Sequence, residues 1–252
     1  MSVTEKPVNI VTLKWGDRYG PETANRLHAA CRAHMNRPFR FVCFTDDAAG
    51  LDPGIESFDI PPIDLTGRPL VTGWRKLCLF QPGLPIDGPS LFMDLDMLIM
   101  GPLDPFFDYE PDRIPIIHNW TSGIKKLRGK RPEIGNSSVF RFLPNEHTFV
   151  YEQFLGEKEW ALANFNPPQT YLTHCIRPRM VFWPDDWTRS FKRHCRPAFP
   201  LNLVMPPKKP DTRILVFHGR PDPEEVVGGY SDGKLRHRSL PAQWLTDLIE
   251  PR

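Results

Sequence analysis

Two aspartates, Asp94 and Asp96, interrupt an almost continuous apolar run that extends from Ser90 to Met100. Such a run is typical of a strand that is covered on both faces, where an uncompensated carboxylate is costly to bury. Along an extended strand the two aspartates point to the same side, with about 7 Å between their α-carbons, and Leu95 faces the opposite layer. Two like charges so placed favour a cation between them. Their oxygens suit Mg²⁺ or Mn²⁺, which also coordinate the phosphates of a nucleotide.

The segments around this acidic pair predict strands that alternate with helices. Apolar runs predict strands at 8–13, 39–44, 55–60, 90–100, 113–118, 139–142 and 214–217. Helical spacing of apolar residues follows Pro21, and further helices are predicted at 73–80 and within 146–164. Alternation of strands and helices favours a parallel sheet. Ligands of such sheets bind at the carboxyl ends of the strands, where we expect the two aspartates to lie.

The composition is that of an ordinary folded protein. The 252 residues include 40% hydrophobic and 25% charged side chains, which excludes collagen-like, coiled-coil and wholly disordered chains. The 32 basic and 30 acidic residues leave a formal charge of +2, which is too balanced to predict nucleic acid as a partner. The 29 prolines are spread along the chain and predict many rigid turns and few long helices.

The cysteines and the N-terminal residues bear on the cellular compartment. The five cysteines are odd in number and scattered, and they include no C-x-x-C pair of the kind that builds zinc or redox sites. The first residues lack the pattern of a secretory signal, and no run of about 18 apolar residues predicts a membrane span. We therefore expect a cytoplasmic protein with no integral membrane segment. A basic tract at 125–131 leaves peripheral membrane contact open, with a solvated loop as the alternative.

The acidic pair lies in a longer motif that resembles a known family. The block Phe92-Met-Asp94-Leu-Asp96-Met-Leu-Ile, with Leu103-Asp-Pro-Phe106 behind it, is similar to the corresponding block of GT-A glycosyltransferases. The similarity is closest to glycogenin-like members of the retaining glycosyltransferase family 8, which includes bacterial galactosyltransferases. The resemblance implies an α/β fold of the GT-A, Rossmann-like type. In that fold a mostly parallel central sheet is flanked by helices, here in a single domain over residues 1–252.

Five further blocks, in the same order along the chain, carry this resemblance. They are Thr12-Leu-Lys14-Trp15-Gly-Asp17-Arg-Tyr19-Gly20, Arg75-Lys76-Leu77, Gly135-Asn136-Ser137-Ser138-Val-Phe140, Pro168-Gln169-Thr-Tyr-Leu and His218-Gly219-Arg220-Pro221. Two departures from the family pattern stand out. Pro168 replaces the acidic residue that usually precedes the glutamine, so the catalytic carboxylate is left open. The lysine of the last block is missing, with Arg220 as a stand-in, which leaves diphosphate binding and the choice of nucleotide open.

The resemblance implies a role for each of these residues. Asp94, Asp96 and His218 would hold a metal ion, and such a ligand set suits Mn²⁺ better than Mg²⁺. The nucleotide and the donor sugar would be bound by Thr12, Lys14, Trp15, Asp17, Tyr19, Arg75, Lys76, Asp94, Leu95, Gly219 and Arg220. The candidate catalytic residues are Asn136, Ser137 and Gln169. Plainer alternatives remain, such as a buried structural role for His218 and a solvated helix face for Lys76.

The prediction is therefore a metal-dependent hexosyltransferase that retains anomeric configuration. It would move a sugar from a nucleotide-sugar donor, with UDP-sugars favoured, to an unidentified glycan, lipid-linked or protein acceptor. The nucleotide-binding half would span about 8–100, the acceptor half about 101–222, and a flexible tail about 223–252. One alternative is a sugar-phosphate nucleotidyltransferase, although the loop after the first strand lacks the glycine-rich basic sequence expected there. Another is a nucleotide-sugar or glycan binding protein without turnover.

Overall fold

The computed structural model describes residues 7–65, 73–120 and 133–250, and the basic tract at 125–131 lies outside these residues. Its strands are β1 (Val8–Lys14), β2 (Phe39–Thr45), β3 (Ile55–Asp59), β4 (Ser90–Met93), β5 (Met97–Ile99), β6 (Ile114–His118), β7 (Gly135–Phe142), β8 (Met180–Phe182), β9 (Thr188–Ser190) and β10 (Ile214–Val216). Seven of them form one sheet in the order β3-β2-β1-β4-β7-β6-β8. The other three form a small sheet in the order β5-β10-β9.

The strand directions confirm the predicted α/β class. β3, β2, β1 and β4 are parallel neighbours, and β6 pairs with β8 in parallel. β7 is antiparallel to both β4 and β6, so the large sheet is mostly parallel with one reversed strand. The reversal brings the N-terminal end of β7 to the same edge of the sheet as the C-terminal ends of β1 and β4. Polar residues at that end of β7 are therefore placed beside the acidic pair.

Helices cover both faces of the large sheet. The α-helices are α1 (Pro21–His34), α2 (Pro105–Asp108), α3 (Phe149–Asn164), α4 (Gln169–Ile176), α5 (Pro223–Val227) and α6 (Thr246–Ile249). Helical segments of other types are the 3₁₀ segments Gly73–Phe80, Leu201–Leu203, Leu235–His237 and Gln243–Leu245 and the π segment Phe191–Cys195. The predicted helix at 73–80 therefore has the predicted bounds, but its hydrogen-bonding type is 3₁₀.

Side chains of β1 alternate between two cores, as the period of a strand requires. Ile10 packs in the core on the face that α1 covers, where Leu27 is buried against it. Val11 points to the other face and packs in the core beneath the 3₁₀ segment Gly73–Phe80, α3 and α4. Because both faces of the strand are covered, all seven residues of β1 are buried. The apolar residues of the strand therefore include the adjacent pair Ile10 and Val11, which pack on opposite faces.

The predicted strand 90–100 is wrong as a single element. The chain leaves the large sheet after Met93, turns at residues 94–96, and re-enters extended structure at Met97 in the small sheet. The apolar residues on both sides of the turn are buried in cores, so the hydrophobic pattern runs through it without a break. The two aspartates therefore lie on a turn between two sheets, and the alternation of an extended strand does not fix where they point.

The segment after residue 222, which the sequence predicts to be a flexible tail, carries short helices and its own buried side chains. Val226, Ala242 and Leu245 pack with Phe191 and Phe217 in a third core. All five cysteines are buried and none forms a disulfide. Within the described ranges, no helix is long and apolar enough to cross a membrane.

A buried arginine on β7 fixes the turn of helix α2 against the large sheet. Arg141 is 3% exposed, and its guanidinium donates to the backbone carbonyls of Phe106, Phe107, Glu110 and Arg113 at 2.9, 3.0, 2.5 and 3.4 Å. Burial lowers its pKa to about 10. The hydrogen bonds to Phe106 and Phe107 are buried, so the cost of removing this side chain includes leaving those two carbonyls without a partner.

Replacing Arg141 with Met, which keeps an unbranched apolar stem and removes the guanidinium, should lower the free energy of unfolding by about 2–4 kcal/mol. The matched control is Arg113→Met, because the Arg113 guanidinium is exposed and donates to one carbonyl, that of Met180. This control should cost less than about 1 kcal/mol. Denaturant unfolding of both variants measures the difference, and equal losses would contradict the role given to Arg141.

Candidate active site

An open cleft of about 430 Å³ lies at the carboxyl ends of β1 and β4. Five chain segments, far apart in sequence, meet there: the loop after β1, the turn after β4, the start of β7, the start of α4 and the segment after β10. The 3₁₀ segment Gly73–Phe80 completes the wall. This is the position at which open α/β sheets bind their ligands. The geometry therefore makes this cleft the candidate site.

Most of the predicted site residues line this one cleft. Those that do are Trp15, Asp17, Tyr19, Lys76, Asp94, Leu95, Asp96, Asn136, Ser137, Gln169, His218 and Gly219. Arg18, Ser138 and Pro168 line it as well. Leu95 has its side chain in the core beneath the turn, so it presents backbone to the cleft. The sequence blocks chosen by resemblance are thus brought together in space.

Four predicted donor-binding residues lie elsewhere. The Thr12 side chain is fully buried within the sheet, and the Lys14 ammonium donates to the backbone carbonyl of Asp47 at 2.9 Å. Both belong to β1, and of the residues in this strand Leu13, which lies between them, lines the cleft. Arg75 lies behind Trp15, with its guanidinium carbon 5.5 Å from the ring centroid. Arg220 is 70% exposed and pairs with Glu225. We therefore leave these four residues out of the site.

The loop after β1 is shaped by one glycine. Gly16 has a φ of +60°, a conformation that residues with a side chain rarely adopt, and its amide donates to Asp46 Oδ2 at 3.0 Å. This turn leaves Trp15 half-buried at one wall of the cleft and Asp17 exposed at its rim. An aromatic face and a carboxylate are therefore presented together on one short loop.

The Asp94 carboxylate is paired with a buried lysine. Lys76 is 8% exposed, and its ammonium lies 2.7 and 2.9 Å from the two oxygens of Asp94. The same ammonium donates to the carbonyl of Ser137 at 2.9 Å. This lysine therefore ties the acidic turn to the start of β7 and neutralises one of the two aspartates. The alternative of a solvated helix face for Lys76 is excluded by its burial.

Asp96, the second aspartate of the turn, lacks a cation of its own. It is 6% exposed, and burial together with the Asp94 and Asp222 carboxylates raises its pKa to about 8, against the attraction of Lys76. Its nearest hydrogen-bond donor is the hydroxyl of Tyr19, 3.3 Å from Oδ2. A carboxyl group with such a pKa holds its proton at neutral pH until a positive charge approaches it. The electrostatics of the cleft thus favour a cation beside Asp96.

Sequence analysis missed Asp222. The Tyr19 hydroxyl lies 3.2 Å from Asp222 Oδ1 and therefore joins this carboxylate to Asp96. Arg18 pairs with the same oxygen at 3.0 Å, and Asp222 is the N-cap of α5, in a capping box with Glu225. The sequence Asp222-Pro223-Glu-Glu225 carries the signature of such a cap, which would have marked the helix start but not its contact with the first loop.

His218 is held neutral at the far wall of the cleft. Burial and the nearby charges of Lys192, Arg193 and His194 lower its pKa to about 4. Its ring stacks on Trp120, with centroids 5.8 Å apart. The neutral form is the one that binds a metal ion, because a protonated imidazole has no free lone pair.

The residue types at this site fit a divalent cation. Two carboxylates, one of them short of positive charge, and one neutral imidazole are the ligand types that Mn²⁺ accepts. Asp94, Asp96 and His218 all line the cleft. Among the described residues, however, no three His, Cys, Asp or Glu side chains lie close enough to one another to bind the same metal ion. Side-chain movement, including release of Asp94 by Lys76, would be needed to form the full set.

The polar wall opposite the loop comes from β7 and α4. Asn136, Ser137 and Ser138 are buried at the start of β7. The side-chain oxygen Oδ1 of Asn136 accepts a hydrogen bond from the backbone amide of Ser138 at 2.9 Å. Gln169 is the first residue of α4 and lines the cleft next to Pro168. These short neutral groups can donate to and accept from sugar hydroxyls.

Comparison with known proteins supports the fold. No family model matches the sequence, and no curated protein matches it. Among solved structures, the galactosyltransferase LgtC in complex with donor and acceptor sugar analogs superposes with a TM-score of 0.61 at 18% identity, over 96% of this chain and 95% of LgtC. The chain therefore has the GT-A glycosyltransferase fold that the resemblance implies.

Two larger glycosyltransferases share the fold. The apo structure of the bifunctional glycosyltransferase WbbM matches with a TM-score of 0.63 at 15% identity, over 88% of this chain and 47% of WbbM. GlyE of Streptococcus pneumoniae matches with a TM-score of 0.59 at 13% identity, over 97% of this chain and 60% of GlyE. The chain thus spans about half of WbbM and somewhat more of GlyE.

Replacing Asp222 with Ala should destabilise the contact between α5 and the first loop. The expected loss is about 1–2 kcal/mol in the free energy of unfolding, mostly from the helix cap, because the half-exposed Arg18 pair adds little. Amide hydrogen exchange within 223–227 should also become faster. Asp211→Ala, at an exposed position outside the cleft, is the control and should change neither quantity. Unchanged exchange in Asp222→Ala would show that Asp222 does not hold the helix in place.

Proposed function

We propose that this chain is a metal-dependent glycosyltransferase that moves a sugar from a nucleotide-sugar donor, with a UDP-sugar favoured, to an acceptor. One observation carries the proposal. Twelve predicted site residues, from sequence blocks that are far apart in the chain, line one cleft at the carboxyl ends of β1 and β4. The GT-A fold supports it at the level of architecture. A shared fold at 18% sequence identity does not define a substrate, so the side chains that line the cleft carry the proposal.

The acidic turn is the centre of the proposed site. Asp94 and Asp96, with His218, would hold Mn²⁺ or Mg²⁺. When bound, such an ion neutralises the charge that builds on the departing nucleoside diphosphate. Lys76, next to Asp94, adds a fixed positive charge on the same side of the cleft. With Asp94 released to the ion, a diphosphate at this place would meet both the ion and the Lys76 ammonium.

The remaining walls fit the other parts of a nucleotide sugar. Trp15 presents an aromatic face for the base, and the exposed Asp17 carboxylate can accept from ribose hydroxyls or base N–H groups. Asn136, Ser137 and Gln169 face the cleft from the opposite side, where they can hold the sugar hydroxyls. The LgtC structures include an active-site mutant in which glutamate replaces a glutamine, and Gln169 is our candidate for a glutamine in such a role.

The catalytic strategy follows from what lines the cleft. At the position before the glutamine the chain carries Pro168, which has no group to attack a sugar carbon or to move a proton. We therefore propose that this chain works mainly by positioning donor and acceptor and by stabilising the leaving diphosphate. Retention of anomeric configuration is part of the proposal through the resemblance to family 8 only.

Two other functions fit the same cleft. A sugar-phosphate nucleotidyltransferase would form pyrophosphate from a nucleoside triphosphate and a sugar phosphate. A nucleotide-sugar binding protein would hold the donor without releasing the diphosphate, and Pro168 favours this second candidate. Parallel incubations with Mn²⁺ and either UDP-sugars or UTP plus a sugar phosphate separate the three. Release of UDP, even by slow hydrolysis, supports the transferase, whereas tight binding without release or production of pyrophosphate from UTP would overturn it.

Asp96→Asn should weaken metal-dependent UDP binding by about 100-fold while the protein stays folded. The substitution keeps the shape of the side chain and removes the charge that the ion requires. Calorimetric titration with UDP, with and without Mn²⁺, measures the loss, and circular dichroism and thermal unfolding check the fold.

The control for this experiment is Asp112→Asn, the same chemical change at an exposed position outside the cleft. It should leave UDP affinity within about twofold of the starting protein. Metal-dependent binding that survives in Asp96→Asn, or that is lost equally in both variants, would contradict the assignment of the metal site to the acidic turn.

A further inference from the structure

A second pocket of about 360 Å³, rich in positive charge, lies beside the cleft. We refer to it as the basic pocket. It is lined by Lys192, Arg193, Arg196, Arg220, Pro221, Tyr230, Asp232, Arg236 and His237. None of these residues lines the cleft, so the two are separate binding volumes.

Positive charge in the basic pocket is largely uncompensated. Five of its lining residues are lysine or arginine, and the single carboxylate, Asp232, pairs with His237 at 2.6 Å. Arg220 pairs with Glu225 at 2.9 Å. Within the described part of the chain, the other four cations form no ion pair with any carboxylate. Like charges held together in this way repel one another and are relieved by an anion.

Two of the cations are fixed by the fold. The π segment Phe191–Cys195 is anchored by its buried first and last side chains, and it directs Lys192 toward the cleft wall. The Arg196 guanidinium donates to the carbonyl of His237 at 2.8 Å, which ties the segment after β9 to the C-terminal part of the chain. Burial and the neighbouring positive charges lower the pKa of both Lys192 and Arg196. These backbone contacts hold two of the cations in place, and the lowered pKa values reflect the repulsion that an anion would relieve.

The basic pocket and the cleft share a wall. The Lys192 ammonium donates to the backbone carbonyl of His218, whose side chain lines the cleft. Along the chain, Gly219 lines the cleft and the next residue, Arg220, lines the basic pocket. A molecule that occupies the basic pocket would therefore reach the wall of the cleft at His218 and Gly219.

From this arrangement we infer that the basic pocket binds a phosphate group carried by the acceptor. Phosphate is a dianion with several oxygens, and it suits converging guanidinium and ammonium donors better than a single carboxylate does. The donor diphosphate is assigned to the acidic turn in the cleft, so the basic pocket is left for the second substrate. The inference rests on the proposed function, because it defines the acceptor as a phosphorylated molecule.

The test uses inorganic phosphate and the double variant Arg193→Gln/Arg236→Gln. Both side chains are exposed at the mouth of the basic pocket, so the fold should be retained. Calorimetric titration should show phosphate affinity reduced by about tenfold. The matched control is Arg32→Gln/Lys209→Gln, which removes the same charge from exposed positions outside the pocket and should leave the affinity within about twofold. If the double variant unfolds, Arg193→Gln alone should give a smaller loss in the same direction.

Saturating UDP and Mn²⁺ separate the two substrates. We expect phosphate to bind to the UDP-loaded protein as tightly as to the free protein, and we expect the double variant to bind UDP normally. If UDP displaces phosphate, or if the double variant loses UDP affinity as strongly as phosphate affinity, the pocket belongs to the donor and the inference is overturned. Failure of the proposed function would show instead as absent UDP binding and absent UDP release, with phosphate binding intact.

Two probes identify the source of the phosphate. A hexose phosphate represents a soluble acceptor, and phosphatidylcholine vesicles with one part in ten of phosphatidic acid represent a lipid-borne phosphate. Binding of either probe that falls in the double variant and persists in the control supports the inference. If inorganic phosphate and both probes bind the double variant as they bind the starting protein, the basic pocket does not recognise phosphate.

Discussion

The structure depends on the placement of two carboxylates, Asp94 and Asp96, on a turn that is surrounded by apolar side chains. Transfer of such charges out of water is costly, and the fold meets the cost in two different ways. Lys76 neutralises the first aspartate directly. For the second, the fold provides a hydroxyl from Tyr19 and no cation, and the raised pKa keeps this carboxyl group protonated at neutral pH. An apolar replacement would avoid this cost, so we interpret the pair as a feature of function rather than of stability.

The cleft around this turn is assembled from loops, while its position is set by the sheet. The parallel strands β1 and β4 deliver their C-terminal ends to one edge, and the reversed strand β7 brings its first residues to the same edge. Each contributing loop is then fixed by local contacts. Gly16 shapes the first loop, Lys76 joins the acidic turn to Ser137, and Asp222 joins α5 to Tyr19. Rigid elements thus position a site whose chemistry comes from the loops.

Much of this architecture could be predicted from the sequence, because buried parallel strands are continuous apolar runs and the helices between them show helical spacing. The break between β4 and β5 could not be predicted from the sequence, since the apolar residues on both sides of the turn are equally buried. Periodicity also could not show that Thr12 and Lys14 face away from the cleft, because the end of β1 decides which residues leave the sheet. Asp222 was missed because its role depends on a contact with Tyr19 about 200 positions earlier.

The chain passes from one sheet to the other through the acidic turn. β4 belongs to the large sheet and β5 to the small sheet, and only residues 94–96 connect them. A linker of three residues has almost no slack, so a small displacement of one sheet relative to the other would be passed directly to the aspartates. The spacing between the carboxylates is therefore coupled to how the two sheets pack. Substitutions of buried residues between the sheets can change this spacing without any contact with the site.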